Sequence, residues 1–314
     1  MIVNSDERQW GWMDEGINTF VQYMAEQEFG EKYPEAIAPN SNYPSRRGEP
    51  SKIVPYMKGN QDYIAPIMSN PEEVYQLGNN AYGKPATALN ILRETVMGRE
   101  LFDYAFHTYS HRWMFKHPTP EDFFRTMEDA SSIDLDWFWR GWFYTTDNVD
   151  IGIKEVSKFY VTDQPTEAGR KMLEQYGTTP EQADALYVVK EEDADFKADM
   201  KNKTVLENAE KLNQYVMDNF SAEERSNMKT PKYFYQVTFE KPGGLVMPLI
   251  IEITYADGST EKKTYPVQVW RKNDDVVSKV MATDKEITKI VVDPDMETAD
   301  VNVDNNSWPK TENK

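Results

Sequence analysis

The sequence predicts an α+β chain, with helices over residues 1–146 and an antiparallel β-sandwich over 147–302. Three observations carry this reading. Apolar residues recur at helical spacing as far as about Phe143. From Asn148 the pattern changes to strict alternation, beginning with Val149-Asp150-Ile151-Gly152-Ile153. Asp257-Gly258 then supplies a hairpin turn between two alternating runs. A highly charged helical stretch at about 165–228 interrupts the β region as an insertion, and residues 303–314 are polar enough to read as a disordered tail.

The first helix is expected from about Asp14 to Phe29, stopped by Gly30. Met13, Ile17, Phe20, Val21 and Met24 form its apolar stripe, and Glu15, Thr19, Gln22 and Glu26 fall on the opposite side. By periodicity alone Glu15 is a solvated residue. Residues 32–79 are rich in Pro, Asn, Ser and Gly, and a long irregular segment of this kind usually wraps a cleft. Pro85 suits the first turn of a helix with Leu89, Leu92 and Val96 on its apolar side, ending at Gly98. Tyr82 stands just ahead of that helix, where backbone N–H groups favour developing negative charge.

Helices follow at about Glu100–Phe115 and after the Thr119-Pro120-Glu121-Asp122 start signal. Another is expected over Asp134–Phe143, crowded with Trp137, Trp139 and Trp142. Beyond them, strands are expected at Tyr233–Phe239, Leu245–Tyr255, Lys263–Trp270 and Ile287–Val292, with a helix at Thr204–Asn219 in the insertion.

Composition narrows the function. A net charge of -18 disfavours a phosphate-binding surface, and with it nucleic acid as a partner. No apolar run approaches the ~20 residues of a transmembrane helix. Zero cysteine excludes disulfides, thiolate metal sites and cysteine nucleophiles. Met1 to Arg8 lacks basic and apolar signal-peptide regions and leads straight into a helix, which suggests that Met1 is an internal methionine of a longer parent. Localisation stays open, a periplasmic or secreted parent among the options. No nucleophile elbow, phosphate loop or dinucleotide fingerprint is present. His107 and His111, four apart on a helix, could reach one metal, but Thr108 stands where the zinc-protease signature needs Glu, so surface histidines are the preferred reading.

The stretch Trp10-Gly11-Trp12-Met13-Asp14-Glu15-Gly16-Ile17-Asn18-Thr19-Phe20 carries more. It resembles the third-ligand segment of the gluzincin aminopeptidases, in which the Glu before the Gly binds zinc. Asn80-Ala81-Tyr82-Gly83-Lys84-Pro85 is similar to that family's Tyr-x-Lys-Gly segment, although Pro85 departs from its glycine. The helices after Pro118, and Gly243-Gly244-Leu245-Val246-Met247-Pro248 in the β region, also look like the family, the latter like the sandwich of some bacterial members.

The resemblance implies the C-terminal half of a thermolysin-like peptidase domain, zinc as cofactor, and peptides as substrates of the parent. It implies Glu15 as a zinc ligand and Tyr82 as donor to the oxyanion; substrate-binding residues are not identified. The family's His-Glu-x-x-His helix, which supplies two ligands and the base, would place its second His five residues before Met1. The isolated chain is therefore expected to be inactive and to expose apolar surface that favours self-association. The alternative is a non-catalytic binding or scaffolding module derived from a peptidase.

Overall fold

The computed structural model describes residues 2–36, 43–162, 165–183, 185, 187–193, 210–228 and 231–310. Helix α1 spans Gly11–Lys32, starting one turn before the expected Asp14 and running through Gly30 instead of stopping there. Trp12, Met13 and Phe20 of its stripe are buried, whereas Val21 is exposed. The polar side is not free either. Thr19 is buried, and Glu26 accepts a hydrogen bond from Ser45 N at 2.6 Å. The irregular segment thus straps across α1 and carries a helix that the sequence reading passed over, α2 at Pro50–Met57. Its internal Pro55 reads as a breaker, yet Ile53, Tyr56 and Met57 give it a buried side.

Next come a π-turn at Gly78–Gly83, helix α3 at Lys84–Ile91 and a second π-turn at Leu92–Met97, closed by Gly98 at φ +81°. That positive φ suits glycine, as the expected stop requires. Helix α4 is Arg99–Trp113, with Phe102, Ala105 and Tyr109 buried. Helix α5 is Pro120–Ser131, where Thr119 N donates to Asp122 Oδ2 at 3.0 Å. Helix α6 is Asp136–Tyr144.

Two four-stranded antiparallel sheets follow, which makes the chain α+β as expected. Strands β1 (Gly152–Thr162), β2 (Tyr187–Lys190), β3 (Tyr233–Glu240) and β6 (Val276–Thr283) pair in the order β2-β1-β3-β6. Strands β4 (Leu249–Tyr255), β5 (Thr260–Tyr265), β7 (Ile287–Val292) and β8 (Ser307–Trp308) pair as β5-β4-β7-β8. The insertion is helical at Glu167–Gln175, Pro180–Ala183, Glu210–Asn219 and Ala222–Asn227. It also contributes β2, a strand too short to show alternation. Residues 204–209 of the expected helix lie outside the described residues.

Residues 303–310, expected to fray, are instead structured. Val303–Asn305 forms a 3-10 turn, and Ile290 pairs with Trp308 in β8. Asn305 Nδ2 ties this segment to Asp150 Oδ1 at 2.7 Å. A polar sequence is ordered here because its polar groups are hydrogen-bonded.

One buried apolar cluster runs from Trp12 through the helices into both sheets as far as Val292. The loop Gly243–Pro248 joins the halves. A Cβ on Gly141 of α6 would lie 2.8 Å from Leu245 Cδ2 of this loop, while Trp270 Nε1 donates to Met247 O at 3.0 Å on the sheet side. No helix among the described residues is long and apolar enough to cross a membrane. Exposed apolar side chains include Ile2, Tyr75, Tyr104 and Phe115.

Asp300 is buried at this junction, accepting from Ile151 N at 3.0 Å and from Asn302 N at 2.8 Å. Burial, the largest influence, together with Asp150 and Asp293, pushes its carboxyl from 3.8 up to about 6. Such a group holds its proton more tightly in the fold, so its favourable contribution is full below pH 3.8 and lost as pH rises through about 6. The difference corresponds to roughly 3 kcal/mol at most. Urea midpoints of the parent relative to Asp300→Ala should therefore rise as pH is lowered from about 7 to about 4. A pH-independent gap between the two would show that Asp300 is already ionised alike in both states.

Candidate functional site

Glu15 lies in the second turn of α1, Tyr82 near the end of the first π-turn, and both are partly exposed. The Glu15 side chain beside the Tyr82 hydroxyl, then burial, raises the tyrosine's pKa, while Arg47 opposes them. Arg47 stands over the Tyr82 ring at 5.3 Å from its centroid. The phenol therefore keeps its proton at neutral pH and can donate it in a hydrogen bond. Beside them, burial first and then the neighbouring Glu7 carboxylate raise the pKa of Asp14.

Local sequence explains why the two residues meet. A Cβ on Gly16 would lie 2.5 Å from Pro85 Cγ and 2.9 Å from the Ala81 carbonyl oxygen. A Cβ on Gly11 would lie 2.8 Å from Pro71 Cγ. These glycines let the segment carrying Tyr82 press directly onto α1. The π-turn itself, with Lys84 N donating five residues back to Asn79 O, adds one residue to the turn and re-aims its side chains. Asn80 Nδ2 holds it to Ala65 O at 2.8 Å and to Pro66 O at 3.0 Å.

Lys84 closes the turn from below. Its side chain is buried, and Nζ donates to Thr145 O at 3.2 Å, just past the end of α6. Burial pulls its ammonium down to about 8, while Asp147 works the other way. Trp12, fully buried, packs the base of α1; Trp10 is only partly buried.

A zinc site needs at least three protein ligands. Around Glu15 the described residues offer carboxylates, with Asp14 and Glu7 beside it, and a phenol, but no three groups that could meet at one ion, and the three histidines of the chain, His107, His111 and His117, belong to α4 and the loop after it. The residues present therefore do not fit a zinc ion at Glu15 by themselves.

Among the described residues the group of three carboxylates that could meet at one ion is Glu128, Asp134 and Asp136. Sequence reading missed it, since with 53 acids a cluster carries little signal. Its hydrogen bonds are those of a helix start. Glu128 accepts from Leu135 N at 2.8 Å and Asp134 from Asp136 N at 3.2 Å, which places negative charge at the N-terminus of α6. Burial, the largest influence, and Asp136 and Asp134 raise the Glu128 pKa.

No family model matches the sequence, and no curated protein matches it. Among solved structures, Legionella pneumophila aminopeptidase A in complex with aspartic acid is similar over 92% of this chain and 23% of that one, at 13% sequence identity and a TM-score of 0.47. The chain thus spans less than two thirds of the length of that structure.

Proposed function

We propose that Glu15 and Tyr82 are one side of an active site of the gluzincin aminopeptidase type. Glu15 is its carboxylate metal ligand, and Tyr82 is the donor to the oxyanion formed during peptide hydrolysis. The observation that carries this is the close packing of the Tyr82 segment on α1, where a Cβ on Gly16 would lie 2.9 Å from the Ala81 carbonyl oxygen, which sets Tyr82 beside Glu15. Two segments singled out separately by sequence, 67 positions apart, meet at the two side chains that the resemblance assigns to one reaction.

The other two ligands and the base belong, on this reading, to a His-Glu-x-x-His helix outside these 314 residues, its second histidine nineteen positions before Glu15. A donor beside the ligand carboxylate would stand next to the metal position, where an oxyanion would form. Zinc would supply Lewis acidity there; within the present chain no step is assigned to it.

Reading the DNA upstream of Met1 and assaying the chain test this together. An in-frame or frameshifted His-Glu-x-x-His at that distance is expected, with no zinc-dependent hydrolysis of aminoacyl anilides by the chain alone. Upstream sequence without the motif would instead favour a scaffolding module, the reading that the single ligand at Glu15 supports for the isolated chain. Turnover abolished by Glu15→Ala would show that this chain holds a complete site.

A further inference from the structure

We propose that His107 and His111 form a bidentate chelate for a borderline divalent transition ion, Zn2+, Ni2+ or Cu2+, on the outer face of α4. This site is separate from Glu15 and does not rest on the reading above. Its basis is a distance. The two Nε2 atoms are 3.2 Å apart, closer than the ring centroids at 4.3 Å, so the nitrogens turn towards each other. Two imidazole nitrogens at 2.0–2.1 Å from one tetrahedral zinc lie roughly 3.3 Å apart. The pair already has that bite.

The helix holds it in place. Opposite the pair, Phe102, Ala105 and Tyr109 are buried in the core, which fixes α4 and leaves both histidines facing solvent. Neighbouring polar groups are committed elsewhere: Thr108 Oγ1 donates to Tyr104 O at 2.9 Å and Ser110 Oγ to Phe106 O at 3.0 Å. Asp103, one turn before His107, is held by Arg93 at 2.6 Å. Lys116 Nζ donates to Arg112 O at 2.8 Å.

Chemistry selects the ion. Imidazole suits zinc, nickel and copper, whereas magnesium and calcium take oxygen ligands. Among the described residues no third histidine or carboxylate lies within coordinating reach of both rings. Water would fill the remaining positions, giving an exchangeable site, not a structural one. Without metal, one Nε2–H donates to the other ring. On binding, that proton moves to the ring's Nδ1, so a neutral pair releases none, whereas acidification competes with the ion for nitrogen. His107 also lines a cleft of about 780 Å³ with Glu28, Glu31 and Arg93, which gives the bound ion access to solvent.

The test uses tag-free chain in equilibrium titration with Ni2+ and Zn2+ and in retention on immobilised nickel. One ion per chain is expected, with two imidazole ligands by X-ray absorption. His107→Ala and His111→Ala should each abolish retention, and lowering the pH should release the parent. Both side chains are exposed, so the variants should fold like the parent by circular dichroism. Adding Arg112→His to the His111→Ala chain restores two histidines at the wrong spacing and should not restore binding. Glu15→Ala and Glu128→Ala should leave it intact. Absence of binding at millimolar metal would overturn the proposal, as would retention that survives both alanine changes or disappears with Glu15→Ala or Glu128→Ala.

Discussion

Trp12→Ala should cost the fold about 3–5 kcal/mol, a large share of the 5–15 kcal/mol typical of a folded protein. The side chain is fully buried. Its ring stacks on Phe124 at 5.8 Å and meets Phe143 and Phe123 edge-on at 4.7 and 5.9 Å. Those rings come from α5 and α6, so Trp12 fastens α1 to the two helices that close the module. Alanine removes the area, leaves a cavity and forfeits aromatic pairing worth about 0.5–1.5 kcal/mol per contact.

Trp10, two residues earlier, is only partly buried, and Trp10→Ala should cost about 1–2 kcal/mol. Urea unfolding of both variants gives the comparison. Equal losses would mean that Trp12 does not carry the anchoring assigned to it.

The sequence shows the two tryptophans alike, and this contrast marks where sequence reading stops. Helix starts with a strong chemical cause were legible: Thr119-Pro120 does begin α5, and Gly98 does end its helical run. The switch to alternation at Asn148 marked where the antiparallel sheets begin. Helix α2 was hidden because Pro55 masks a short apolar side, and β2 because four residues cannot display a period. π-turns leave no periodic trace at all.

Glu15 was misplaced by periodicity for a physical reason. The polar side of α1 faces solvent only if nothing lies against it, and Gly11 and Gly16 allow the segment around Tyr82 to lie there. The resemblance placed Glu15 and Tyr82 in one site, and the close approach of their two segments is what a pattern of residue types could not supply. His107 and His111 were legible as a pair, but their bite was not, since spacing fixes the face of a helix and not the rotamers.

The proposed site is tested most directly by zinc content and turnover of the chain expressed with its native upstream sequence. Three forms are compared: parent, Glu15→Gln and Tyr82→Phe. Glu15→Gln removes a charged ligand and should abolish both tight zinc binding and turnover. Tyr82→Phe removes one oxyanion donor and should keep zinc while lowering kcat by about 10²–10³, equivalent to ~2.7–4 kcal/mol. His107→Ala serves as the control and should leave turnover unchanged. The account predicts that tightly held zinc, counted after dialysis that removes ion from the exchangeable His107–His111 pair, is lost with Glu15→Gln and kept in Tyr82→Phe and His107→Ala, and that kcat is lost with Glu15→Gln or Tyr82→Phe. Full zinc and full turnover in Glu15→Gln would contradict it.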